Sequence, residues 1–249
     1  MKGLTALQLL DVWEQGHAYP ISQRSLLLLA AARDDLEMDD LLSMSIGKID
    51  AALMDLRDLT FGPMINCLES CPVCNSLLDL PMRMPDLKAN ASDISTESFS
   101  IISGEYEIDF RLPTGSDLIA ISGHNNIEKA KDLVLRRCIT QIRRNGLVCS
   151  NIRSNDILIP ERSREEISKR MREIDPQANI EINLICPSCG SDWQRVFDIA
   201  TFFCMEIDIW ALRTLREVHI LASAYGWSEK EIVGMSQWKR QLYMEMVGK

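Results

Sequence analysis

The sequence predicts an α+β protein, mostly helical, in which two distant cysteine turns build one discontinuous module and a long helix follows them. Three observations carry this expectation. Helical spacing of apolar residues dominates residues 1–63. Two Cys-x-x-Cys pairs, Cys71-Pro72-Val73-Cys74 and Cys186-Pro187-Ser188-Cys189, lie far apart, each between apolar stretches. From Asp198 to Tyr225 an apolar stripe runs at helical spacing without a break.

Taken in order, Leu4, Leu7, Leu9, Leu10 and Trp13 predict a helix that stops near Gly16. Arg24 to Arg33 holds the Leu26–Leu29 run; it is apolar nearly all round and reads as a buried helix. Met38 to Met44 is a short segment ended by Gly47, and Ile49, Leu53, Leu56 and Leu59 form a further stripe closed by Phe61-Gly62-Pro63. Ile65 to Met84 reads as two short strands joined by the first cysteine turn. Residues 88–97 are polar and predict a loop. Phe99 and Ile101, then Tyr106, Ile108 and Phe110, alternate about Ser103-Gly104-Glu105, a hairpin signature ended by Pro113. Thr114 is an N-cap for a short helix, with Asp117 at its third position.

Ile127, Ala130, Val134, Cys138 and Ile142 predict one amphipathic helix over 127–142. Ser163 and Glu166 read as a capping box for a helix that ends before Asp175-Pro176. Asn179 to Ile185 alternates as a strand into the second cysteine turn, and Trp193, Val196 and Phe197 mark an apolar return strand. The helix from Asp198 to Tyr225 spans roughly 40 Å at its standard rise, with Gly226 as its stop. Ser228 with Glu231 is another capping box, and Ser236 caps a last helix through Leu242, Tyr243 and Met246. The expected division is an N-terminal helical region (1–63), a zinc-ribbon-like module (64–86 plus 179–198), an inserted hairpin and helices (87–178), and the long helix with a C-terminal helical hairpin (199–249).

The cysteine turns carry the chemistry. Each places two sulfurs on one side of a tight loop, and two such loops facing each other supply four thiolates in a tetrahedron, which suits zinc. Cys71, Cys74, Cys186 and Cys189 are therefore the candidate ligands of a structural zinc ion. Such an ion has no open position and fastens rather than reacts. Reduced, unmetallated thiols are one alternative. Thioredoxin-like redox chemistry is another, but it wants the pair to open a helix, and here apolar strands flank both turns. Cys67 lies four residues before Cys71 and is a competing fifth ligand. Cys138 and Cys204 fall within apolar helical patterns and read as buried thiols.

Composition narrows the remaining classes. The chain has 249 residues, 46% of them hydrophobic, and a formal net charge of −9. That charge disfavours a general nucleic-acid binder, which needs basic surface. No apolar run approaches the roughly 18–20 residues of a membrane span, and residues 1–5 lack a signal-peptide layout. The three histidines, His17, His124 and His219, are scattered. The first two read as solvated, and His219 reads as a core or boundary residue of the long helix. There is no metalloprotease, nucleophile-elbow or phosphate-loop motif, so no catalytic residue is predicted. Lys129, Lys131, Arg136, Arg137, Arg143 and Arg144 form a basic stretch, read as a solvated face or a site for an acidic protein partner ahead of a nucleic-acid patch. Trp227, Trp238, Tyr243 and Met246 give the last helices adaptable apolar surface, the candidate partner-binding residues; packing on the long helix is the plainer reading.

Several segments together match a known pattern. They include Leu9 to Gly16 (Leu-Leu-Asp-Val-Trp-Glu-Gln-Gly), and Leu56-Arg57 with Thr60-Phe61-Gly62 ahead of Cys71-Pro-Val-Cys74. Phe110-Arg111-Leu112-Pro113-Thr114 precedes Asp117-Leu118, and Asp175-Pro176-Gln177-Ala178 precedes Cys186-Pro-Ser-Cys-Gly190, Trp193 and Phe197-Asp198-Ile199. Arg216-Glu217-Val218-His219 leads to Tyr225-Gly226-Trp227-Ser228-Glu229. This ordered set resembles the T-even-type bacteriophage baseplate protein family. The resemblance implies zinc on the same four cysteines, no catalytic residues, and a role in assembling the baseplate hub of a contractile tail. It also implies baseplate hub or spike proteins as partners, with no membrane. The expected location is the cytoplasm of the bacterial host, with the tail particle as a second one. Asn75 stands where glycine is common after the first turn; asparagine tolerates the left-handed conformation that this position needs. A permanent structural subunit is the nearest alternative to an assembly chaperone, and a zinc-ribbon nucleic-acid regulator a more distant one.

Overall fold

The computed structural model describes residues 1–89, 98–124, 126–149 and 159–247. The protein is mixed α/β, with helices predominating and a long helix near the C-terminus.

Four helices come first: α1 (Ala6–Gly16), α2 (Ile21–Ala32), α3 (Met38–Ser43) and α4 (Ile46–Phe61). Thr5 begins α1 with the predicted kind of polar cap, its hydroxyl accepting from the Gln8 N–H. Ser45 caps α4, and Gly62, at φ 86°, ends it. Gly47 is not the stop that its neighbours suggest. It lies in the first turn of α4, where the buried Asp175 carboxylate accepts its backbone N–H at 3.0 Å. A Cβ at position 47 would overlap Asp175 Oδ1, so glycine is required by close approach rather than by a turn.

The chain then forms the hairpin β1 (Met64–Ser70) and β2 (Leu77–Arg83), paired antiparallel from Met64↔Arg83 to Ser70↔Leu77. A 3-10 turn, Met84–Leu87, follows. The predicted polar loop falls, from residue 90 to 97, outside the described residues. Next come β3 (Phe99–Ser103), β4 (Tyr106–Phe110), α5 (Gly115–Ile121), α6 (Ile127–Cys138), β5 (Ile139–Arg144) and β6 (Leu147–Val148). Strands β3 to β6 make one antiparallel sheet in sequence order. The amphipathic helix predicted over 127–142 therefore breaks at Cys138. Ile139 and Ile142 are buried on a strand, where pairing with β4 outweighs the helical spacing.

Helix α7 (Glu161–Ile174) covers this sheet, burying Ile167 against Ile108, Phe110 and Ile142. The Ser163 capping box does not form. The helix begins earlier, at Glu161 after Pro160, and the buried Ser163 hydroxyl instead meets that of Ser103 at 2.9 Å. A second hairpin follows, β7 (Ile180–Ile185) and β8 (Asp192–Phe197), then α8 (Ile199–Tyr225), α9 (Glu229–Val233) and α10 (Gln237–Val247). Asp198 caps α8, accepting the Thr201 N–H at 3.0 Å, and left-handed Gly226 ends it.

The main core gathers α2, α4 and α8 around Leu29, Leu53, Leu56, Phe203 and Ile207, and reaches Ile65 of β1 and Ile180 of β7. Cys204 is buried there and Cys138 beside the sheet, both as predicted. Burial pushes their thiols up, to about 11 and about 12. Three pairs tie other elements to α8. Arg57 of α4, itself buried, grips both oxygens of Glu206, at 2.9 and 2.6 Å. Arg24 of α2 pairs with Asp208, which also accepts from the Trp13 indole at 2.8 Å. Arg240 of α10 donates to Glu217 at 2.9 Å. His219, expected at the core boundary, is exposed, because Glu217 and Val218 take the inward positions of that turn.

Candidate metal centre

Both hairpins end in the same local device. In the first, Asn75 N–H donates to Cys71 O at 3.0 Å and Cys71 N–H to Ser76 O at 2.9 Å. In the second, Gly190 N–H donates to Cys186 O at 2.9 Å and Cys186 N–H to Ser191 O at 2.8 Å. Each turn closes through a left-handed residue, Asn75 at φ 57° and Gly190 at φ 73°, so the asparagine does the work of glycine as expected. The proline in each turn costs no amide, because the knuckle uses other N–H groups. Those of Val73 and Cys74 point at the Cys71 sulfur, and those of Ser188 and Cys189 at the Cys186 sulfur.

The two turns face each other and bring four sulfurs together. The Sγ atoms of Cys71, Cys74, Cys186 and Cys189 all lie within 4.8 Å of one another. Cys71 to Cys189 is 3.7 Å and Cys74 to Cys186 is 3.6 Å. A tetrahedral ion with bonds of about 2.3 Å sets its sulfurs about 3.8 Å apart. The donor set and spacing therefore fit one thiophilic ion, which these four residues can hold. Cys71 and Cys186 are buried, while Cys74 and Cys189 lie on the exposed side of the cluster. Cys67 is not part of the group. Its side chain packs against the main core from β1, and burial raises its thiol above the ordinary value.

Two residues that sequence reasoning missed complete the centre. Ser191 Oγ lies 3.2 Å from the Cys71 sulfur and 3.1 Å from that of Cys189, and Ser76 Oγ lies 3.2 Å from that of Cys74. The Ser191 hydroxyl is the largest influence holding Cys71 down, to about 6, and the Ser76 hydroxyl likewise lowers Cys74. Hydroxyls placed this way favour thiolates, the form a metal requires. The signal was present as Cys-Asn-Ser and Cys-Gly-Ser, with serine second after the last cysteine of each turn.

Little else supports the meeting of the hairpins. Leu78 is buried in one cluster with Cys71 and Cys186, with Leu80 and Trp193 packed against it. Arg195 of β8 reaches Glu69 of β1 at 3.0 Å. Val73, Leu68, Leu77 and Ile185 remain exposed.

The other expected binding residues divide. Trp227 stacks on Tyr225 at 4.5 Å and meets Tyr243 edge-on at 4.8 Å, in a cluster against α8. Trp238 and Met246 are 73% and 60% exposed. The basic stretch is largely neutralised by folding. Arg137 joins Arg111 on the fully buried Asp117, Arg136 pairs with Asp132, Arg143 meets Glu107 and Asp109, and Arg144 meets Glu105. Lys131 reaches Glu128 at the surface. No helix among the described residues is long and apolar enough to cross a membrane.

Comparison with known proteins agrees with the resemblance read from the sequence. No curated protein and no solved structure matches the chain. A family model described as T4 bacteriophage base plate protein matches residues 21–204, a stretch that contains both cysteine turns, the intervening sheet and the start of α8. That match covers most of the chain, and the protein belongs to the T4 bacteriophage base plate protein family.

Proposed function

We propose that this chain is a non-enzymatic assembly factor of the phage baseplate, acting as a chaperone or binding factor for hub or spike proteins in the host cytoplasm. Zinc on Cys71, Cys74, Cys186 and Cys189 fastens two hairpins into a ribbon-like module. Four thiolates fill a tetrahedral ion's coordination, so the ion contributes stability and not an open position for water or substrate. The observation that carries this reading is the four-sulfur cluster within the stretch that matches the baseplate family. The pairing of its arginines with the chain's own carboxylates supports a protein partner over nucleic acid.

Elemental analysis of protein purified under reducing conditions tests the metal, with one zinc per chain expected. Quantitative mass spectrometry of purified tails and of lysate tests the role. An assembly factor is recovered with hub proteins from lysate and is depleted from finished tails. A stoichiometric presence in the tails would make it a permanent subunit instead.

A further inference from the structure

Helix α8 buries one side throughout the body of the protein, through Phe203, Ile207, Ala211, Thr214, Val218 and Leu221. Its other side carries Met205, Ile209, Leu212 and Ile220, which are 56%, 68%, 52% and 36% exposed. With Arg216, these residues follow at steps of four, three, four and four, so they share one stripe roughly 22 Å long. From Met205 to Arg216 the steps are those of the a and d positions of a heptad. Apolar side chains in that register are a surface for a second helix.

Charge says which helix. Arg213 borders the stripe and Arg216 sits within it; both are exposed, and neither has an ion-pair partner among the described residues. The acidic residues of the same helix are already engaged: Glu206 by Arg57, Asp208 by Arg24 and Glu217 by Arg240. In a chain of net charge −9 this face therefore offers unneutralised positive charge. A second copy of α8 brings no free carboxylate to it.

We infer that the outer face of α8, centred on Ile209, Leu212, Arg213 and Arg216, docks an acidic amphipathic helix of a partner protein. The inference rests on the reading of the chain as a partner-binding assembly factor and names the surface and the chemistry of the partner. Leucine-like knobs would seat between Ile209 and Leu212, and flanking carboxylates would meet Arg213 and Arg216.

The test uses the full chain and two synthetic three-heptad helices. Both carry leucine at a and d; one has glutamate at e and g, the other lysine. Fluorescence anisotropy is expected to show the glutamate peptide binding roughly tenfold tighter than the lysine peptide. The double variant Arg213→Glu/Arg216→Glu should invert that preference. Ile209→Asp/Leu212→Asp should weaken binding of either peptide by roughly a hundredfold, with an unchanged melting curve because both positions are exposed. Equal affinity for the two peptides, or no binding of either, overturns the inference. So does a concentration-dependent dimer that the Ile209→Asp/Leu212→Asp variant abolishes, since the occupant would then be a second copy. Undiminished recovery of hub proteins by that same variant overturns the inference while leaving the hub-binding reading intact. Hub proteins recovered by neither form would count against the hub-binding reading, and the peptide pair still decides the surface.

Discussion

Around Leu29, Leu53 and Phe203 the helical body buries side chain after side chain, whereas the facing hairpin tips bury little beyond Leu78 and Leu184 beside two cysteines. Each fully buried leucine or phenylalanine contributes about 1.5–3 kcal/mol relative to exposure. The body therefore holds itself together by many small terms spread over several helices. The tips have almost none of these and keep four apolar side chains in water. Four thiolates on one ion supply about 10–16 kcal/mol of apparent binding energy in comparable sites. On the proposed zinc site, one region is stabilised by dispersed packing and the other by a single concentrated contact, and the two should then fail in different ways.

The comparison is broken most sharply at the cysteines. Cys186→Ser should abolish stoichiometric metal binding and expose the amides of β1, β2, β7 and β8 to hydrogen exchange, while those of α2, α4 and the middle of α8 stay protected. If the body's amides lose protection together with the hairpins, the two regions are one cooperative unit and the contrast fails. In the body, Leu53→Ala should cost about 2–5 kcal/mol in denaturant unfolding, with metal content unchanged in the folded fraction.

A pH series sharpens the same contrast. Asp50 of α4 is raised to about 7, first by burial and then by the Asp198 and Asp175 carboxylates. The unfolded chain gives up this proton near pH 4 and the folded chain only near 7, so this group lowers stability progressively as pH rises across that window. Asp50→Asn should flatten that fall and raise stability at pH 7 by on the order of 2 kcal/mol, less than the full shift implies because part of the side chain meets water. Thermal melts at pH 4.5 and 7 would check it. The smallest effect is expected at the hairpin contact: Arg195→Ala removes an ion pair with Glu69 that is largely exposed on the arginine side, and should cost at most about 1 kcal/mol. A larger loss would mean that the tips depend on more than the sulfurs.

The sequence was most readable where one local rule acts alone. Asp198 and Gly226 bound α8 as capping chemistry requires, and Thr114 with Asp117 opens α5. The sulfur cluster was legible because a Cys-x-x-Cys turn is a complete half-site by itself. Reading failed where a distant partner decides. The stripe through Ile142 looked helical until pairing with β4 turned residues 139–144 into a strand. Gly47 looked like a stop, and only the Asp175 carboxylate, remote in the chain, explains it. Lys129 to Arg144 looked like a uniform basic face because the carboxylates that absorb the arginines are contributed mainly by other elements, notably α5 and β4. Ser76 and Ser191 were overlooked because the hydroxyl of a serine carries no metal signature until the sulfurs beside it are in place.

The separation of the two cysteine turns along the chain also sets a schedule for synthesis. Cys74 and Cys186 are 112 positions apart, which a bacterial ribosome covers in roughly 5–20 s at ordinary elongation rates. Throughout that interval the emerging polypeptide carries an open pair of thiols, and the strands β3 to β6 with α7 are made before the second pair exists. If the four sulfurs hold a metal, as proposed, locking comes last, once the intervening stretch has been laid down, and an ion captured in full coordination certifies that everything between the turns has already been translated.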